Sequence, residues 1–156
     1  MAKALFVGSF DPIHLGHVSI IKRASLLFDS VIVGVAADTK KNALPAEKRL
    51  QLIKLSVEGF DNVEIVLYEG LTVDLYKKIG ADVLVRGVRN VLDFEYEKSL
   101  AAINKVLSKD VETCLFLCDR DYEISSSLIK ELAKLNADLS KFVPHKILDL
   151  IKELYS

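Results

Sequence analysis

Five short apolar runs, each followed by a stretch of helical periodicity, leave this chain few folds to choose from. The runs cover residues 4–7, 31–37, 63–68, 82–86 and 112–118, and are mostly continuous rather than alternating. Continuous apolar strands are buried on both faces, which implies a parallel sheet with helices on either side. Residues 18–28 carry apolar side chains at Val18, Ile20, Ile21, Ala24, Leu27 and Phe28, the spacing of one helix face. Further helices are expected at 46–58 after Pro45, at 72–79 closed by Gly80, at 93–107 capped by Asp93, from Ile124 to Leu135, and from Pro144 onward. The architecture expected is one α/β domain over residues 1–156, a Rossmann-like, doubly wound, five-stranded parallel sheet with C-terminal helices. A chain of 156 residues suits one such domain and buries roughly two-thirds of its unfolded surface.

Right-handed crossovers put every strand-to-helix loop on one edge of such a sheet, where ligands bind. Four segments should therefore converge: Gly8 to His17, Lys40–Lys41, Arg86 to Arg89, and Ser125 to Ser127. The first, GSFDPIHLGH, is a strand-to-helix turn suited to phosphate. Its glycines let backbone approach a ligand, and the first helical turn offers unpaired N–H groups at the positive end of a dipole. His14 and His17 lie three apart, on one side of that turn. Read alone, Gly-Ser-Phe-Asp-Pro is an ordinary turn. The histidines could also be a metal pair, but no cysteine or third ligand stands nearby.

The other segments have plain readings too. Lys40 and Lys41 could be solvated loop residues, Arg86 and Arg89 surface arginines, and the serines a helix cap. Glu97, four residues after Asp93, could belong to a solvated acidic face. At a common ligand edge, however, lysine supplies a mobile charge and arginine a two-pronged grip on phosphate. The Glu97 carboxylate could position a ribose hydroxyl, a phosphate-bound metal or a basic side chain. No carboxylate pair, metal cluster or activated nucleophile stands out. The set suits nucleotidyl transfer between phosphates, which needs alignment and charge stabilisation more than covalent catalysis.

Composition narrows the partners. With 21 basic and 22 acidic residues the net charge is −1, so no broad basic field attracts nucleic acid and none is expected as partner. No apolar run reaches membrane-spanning length and the N-terminus does not look like a signal peptide, so no membrane association and a cytoplasmic location are expected. Cys114 and Cys118, about 13 Å apart along a strand, are too distant for a disulfide and read as near-core thiols.

The motif GSFDPIHLGH resembles the signature of the nucleotidylyltransferase superfamily, whose HxGH or TxGH turn binds ATP phosphates. Together with RGVRNVLDFEYE at residues 86–97 and ISSS at 124–127, it makes the whole chain similar to the bacterial phosphopantetheine adenylyltransferases. The resemblance implies transfer of AMP from ATP to 4′-phosphopantetheine, giving dephospho-coenzyme A and pyrophosphate without a covalent intermediate. It implies Mg2+ carried with ATP and a homohexamer. By the same resemblance His17, Lys41 and Arg89 are catalytic. The ATP site takes Ser9, Phe10, His17, Gly87, Val88, Arg89, Glu97, Tyr122, Ile124, Ser125, Ser126 and Ser127. Ser9, Lys41, Thr72 and Arg86 fall on the acceptor. Two departures stand out: His14, at a place where this family often has Thr and nicotinate-mononucleotide adenylyltransferases commonly have His, and a loop at 119–123 that is a residue short. The alternatives are such a nicotinate-mononucleotide enzyme, or a non-catalytic ATP-binding module.

Overall fold

The computed structural model of the chain describes residues 1–38, 44–119 and 124–155. Strand and helix alternate as β1 (Lys3–Gly8), α1 (Leu15–Leu27), β2 (Ser30–Ala36), α2 (Ala46–Ser56), β3 (Val63–Tyr68), α3 (Thr72–Ile79), β4 (Val83–Val88), α4 (Val91–Leu107), β5 (Thr113–Leu117) and α5 (Ser126–Lys134). A 3-10 turn at His145–Ile147 leads into α6 (Leu148–Tyr155). The strands form one sheet in the order β3-β2-β1-β4-β5, every neighbouring pair parallel. Ala4 of the central strand lies opposite Val31 on one side and Val83 on the other.

Side chains alternate across this sheet as the strand period requires. Ala4, Phe6, Val31, Val33, Val35 and Val85 face a large core with residues of α1, α2, α5 and α6, among them Ile21, Leu52, Ile53, Ile129 and Ile151. Leu5, Val7, Ile32 and Leu84 face a smaller core under Val73, Leu75 and Tyr76 of α3. Each such side chain, fully buried, contributes about 1.5–3 kcal/mol. Because both faces are covered, the strands read as unbroken apolar runs. Cys114 and Cys118 are free thiols packed at the edge of the larger core.

The strand order reverses direction between β1 and β4. Their carboxyl ends, Gly8 and Val88, therefore flank the crevice that a doubly wound sheet opens at its switch point. Three of the boundaries that differ from the sequence expectation bear on this crevice. α1 starts at Leu15 rather than Val18, because His14 caps it. α4 starts at Val91, since Asn90 and not Asp93 is the cap; the Asn90 side chain accepts the Asp93 N–H at 2.9 Å. β4 continues to Val88, which places Arg86 inside the strand. Among the described residues no helix is long and apolar enough to cross a membrane.

Candidate active site

An open cleft of about 360 Å3 occupies the switch point. Its wall begins with the turn after β1. Phe10 is buried, with its ring edge-on to Phe6 at 5.5 Å and to His17 at 4.9 Å, so this ring supports the His17 imidazole. His14 then serves as the N-cap of α1: its Nδ1 accepts the N–H of Gly16 at 3.1 Å and of His17 at 3.4 Å. In return the His17 Nδ1 accepts the His14 N–H at 3.1 Å. The two rings stack with centroids 3.7 Å apart.

This pairing corrects one expectation. The first N–H groups of α1 are not open to phosphate: Gly16 and His17 give theirs to His14, and Leu15 gives its own to the Phe142 carbonyl at 2.9 Å. What the helix offers instead is two imidazoles. Each Nδ1 accepts a hydrogen bond, so each neutral ring carries its proton on Nε2, the donor left for the cleft that both rings line. They stay neutral. Burial, helped by the Arg89 charge, lowers the His14 pKa from 6.5 to about 3. Burial also holds His17 well below the usual histidine range, with His14, Arg89 and Arg86 adding to the effect. His17 is a neutral hydrogen-bond donor, not a cation.

The positive charge comes from the opposite wall. Arg86 donates from Nε and Nη2 to the two oxygens of Glu97, at 2.9 and 2.8 Å, and from Nη1 to the Val7 carbonyl at 2.9 Å. Three of its five N–H groups are thus used to aim it. Glu97 is buried, and of the three uses open to its carboxylate the structure shows the last, holding a basic side chain. Arg89 is held the same way by Asp93, at 2.8 and 3.2 Å, and reaches the Ile124 carbonyl at 3.3 Å. The hydrogen bonds and charge of Arg89 keep the Asp93 carboxyl below the usual carboxylate range. Gly87 lines the cleft, but its close neighbour is protein rather than ligand: a Cβ there would stand 2.4 Å from Ile20 Cδ1 on α1.

The third wall is the start of α5. Ser125 is its N-cap and accepts the Leu128 N–H at 3.2 Å, while the Ser126 hydroxyl donates to the Pro12 carbonyl at 2.9 Å. That second bond ties α5 to the turn after β1. Ser9, Phe10, His17, Arg86, Gly87, Arg89, Glu97, Ile124, Ser125 and Ser126 all line the cleft. Val88 is buried at the end of β4, Ser127 is exposed on α5, and Thr72 starts α3 beyond β3; none of the three lines it. Lys41 and Tyr122 lie outside the described residues.

Two further supports lie outside the residues that the sequence motifs mark for function. Arg49 on α2 is fully buried, yet donates to carbonyls at the ends of β1 and β2. It falls three and four residues before the core residues Leu52 and Ile53, a charge on an apolar face. Asp11 is buried too; its carboxylate accepts the Leu44 N–H at 3.2 Å, the Tyr155 hydroxyl at 2.9 Å and the Lys130 ammonium at 3.3 Å. Among the described residues no group of three or more His, Cys, Asp or Glu side chains is arranged to hold a metal ion.

A parallel sheet with paired histidines and paired arginines meeting at its switch point is built for nucleotidyl chemistry, and residues 5–132 match the cytidylyltransferase-like family model. The phosphopantetheine adenylyltransferase of Limosilactobacillus reuteri is 46% identical over 98% of this chain and 90% of its own. That of Leuconostoc citreum is 49% identical over 98% of both chains. The chain therefore belongs to the phosphopantetheine adenylyltransferase family. A solved Vibrio parahaemolyticus structure, provisionally named a nicotinate-nucleotide adenylyltransferase, superposes with a TM-score of 0.78 over 99% of this chain and 96% of its own. At 23% identity it attests the fold alone.

Proposed function

We propose that this cleft binds ATP and 4′-phosphopantetheine side by side and transfers AMP between them. An oxygen of the acceptor phosphate attacks the α-phosphorus of ATP in line. The new P–O bond forms as the bond to the bridging oxygen breaks, and pyrophosphate leaves with the electron pair. The products are dephospho-coenzyme A and pyrophosphate. The observation that carries this reading is the shared cleft of His17 and Arg89, which lie far apart in sequence.

The roles divide by wall. The Nε2–H of His17 donates to the α-phosphate as negative charge grows in the transition state. Arg89 and the start of α5 hold the departing pyrophosphate. Arg86, aimed by Glu97, grips the acceptor phosphate, and Lys41 joins it there. Ser9 stands between the two substrates. The triphosphate would bring Mg2+ with it, and the ion would offset part of its charge. That fits the donor chemistry here, because the Glu97 and Asp93 carboxylates are already bonded to arginines.

Val91, Leu92, Tyr96, Ile103 and Val106 stand exposed on α4, and Leu117 on the edge strand β5. This apolar surface supports a homo-oligomer, in keeping with the hexamer that the family resemblance implies, and a cytoplasmic setting follows from the metabolic role. The deciding experiment is pyrophosphate release by purified protein with ATP and Mg2+. Release is expected with 4′-phosphopantetheine and not with nicotinate mononucleotide. ATP binding without release, or preference for the nicotinate substrate, rejects the proposal.

A further inference from the structure

Phe10 has a φ of 50°, in the left-handed region that a bulky residue keeps only where its surroundings hold it. Its ring lies edge-on to His17 at 4.9 Å, so the strained residue is also the prop of the imidazole. What holds it follows directly in sequence. Asp11 is 3% exposed. Its Oδ1 accepts the Tyr155 hydroxyl at 2.9 Å and the Leu44 N–H at 3.2 Å, and its Oδ2 accepts the Lys130 ammonium at 3.3 Å. Tyr155 ends α6, Lys130 lies on α5 and Leu44 precedes α2. One residue further on, the Pro12 carbonyl accepts the Ser126 hydroxyl at 2.9 Å.

An aspartate kept only to shape its own turn bonds the backbone two residues on. These bonds of Asp11 instead reach residues 33, 119 and 144 positions away. Leu44, Lys130 and Tyr155 do not line the cleft, so their grip bears on the substrates only through the turn. We infer that Asp11 is a positioning residue for His17: by tying the turn after β1 to α5 and α6, it keeps Phe10 in its left-handed conformation with the ring against the imidazole. Relaxation of Phe10 to a negative φ would carry that ring off His17 and leave the Nε2–H unaimed. Arg86 and Arg89 are held separately, by Glu97 and Asp93 on α4, so the grip on the phosphates does not depend on Asp11. The inference rests on the function proposed above.

The test is Asp11→Asn, which keeps the size of the side chain and removes its charge. Folding is checked by near-UV circular dichroism, and kcat and both KM values are measured. A misaimed donor is expected to lower kcat about tenfold while KM for ATP and for 4′-phosphopantetheine stays within about threefold. In a His17→Asn background, where the donor being aimed is gone, the same change should add little further loss of kcat. A merely structural role would not produce that dependence on His17. Should Asp11→Asn fail to fold, Tyr155→Phe removes one anchor of the same carboxylate, with the same direction and the same dependence on His17 expected. An unchanged kcat, a defect confined to KM, or full additivity with His17→Asn would overturn the inference. Failure of the unaltered protein to turn over ATP with 4′-phosphopantetheine refutes the proposed function itself; normal turnover by the unaltered protein, with kcat indifferent to Asp11→Asn or Tyr155→Phe, refutes this inference alone.

Discussion

His14 and His17 cap one another: the Nδ1 of each ring accepts the backbone N–H of the other residue, and the rings stack face to face. Protonating either Nδ1 would break a cap bond and set a charge beside a buried ring. The pair is therefore locked in the neutral state in which each ring donates from Nε2.

Activity should follow. With His17 held well below the usual histidine range, no histidine titration should shape turnover near neutrality. The kcat profile is expected to show no limb from this imidazole between about pH 6 and 8, since the donor is neutral throughout. An acid limb in which kcat rises as a group near pH 6.5 takes up a proton would show that the reactive form is imidazolium instead.

Two substitutions separate the jobs of His17. Asn places an oxygen near Nδ1, so His17→Asn keeps the acceptor for the His14 N–H and loses the donor. Gln reaches further, so His17→Gln restores an N–H near Nε2 and gives up the cap. Loss of one transition-state donor costs about 10² to 10³ in kcat, and that loss is expected of His17→Asn. His17→Gln should retain more activity but melt earlier. Single-turnover kinetics alongside thermal melts would check both, and the reverse ranking would mean that capping matters more than donation.

Acid should destabilise the fold through His14. Its pKa is about 3 when folded against an ordinary 6.5, so below pH 6.5 the unfolded chain binds a proton that the folded chain refuses. The contribution is complete above that pH and drains away as pH falls toward 3, reaching a loss of about 2 kcal/mol at pH 5. His14→Asn removes the titration and keeps a good N-cap. Urea unfolding at pH 7 and pH 5 should show a smaller fall in stability for the variant than for the parent; equal falls would contradict the assignment.

At the far end of the chain, burial and the Asp11 carboxylate push the Tyr155 hydroxyl well above its usual range, so it remains a donor. Tyr155→Phe keeps the packing and removes the 2.9 Å bond to Asp11. A bond to a charged acceptor is worth about 1.5–3 kcal/mol, and a loss of that size is expected in denaturant unfolding. No change in stability would mean that water replaces the hydroxyl without penalty.

Much of this was open to reading from residues alone, for definite reasons. The strands announce themselves because both faces of the sheet are covered, so Val31 to Ala36 needs no polar side. The meeting of Ser9, His17, Arg86, Arg89 and Ser126 follows from parallel topology, which gathers loops at one edge. His14 was harder. Imidazole is outside the usual set of capping side chains, so apolar periodicity alone starts α1 three residues late. The bond of Glu97 to Arg86 joins a helix to a strand across eleven residues, and no local spacing encodes it. Arg49 did leave a trace, a charge in register with Leu52 and Ile53, but burial at that position is a tertiary outcome.

Ile20 Cδ1 fills the place where a side chain on residue 87 would begin. One helical turn before Ile20 on the same helix stands His17. The close approach of the helix to the arginine-bearing strand is thus filled by one terminal methyl, and a side chain begun at residue 87 would first make Ile20 turn that methyl aside. How far that one buried methyl can yield, behind the cleft, sets what residue 87 tolerates, apart from anything the substrates demand.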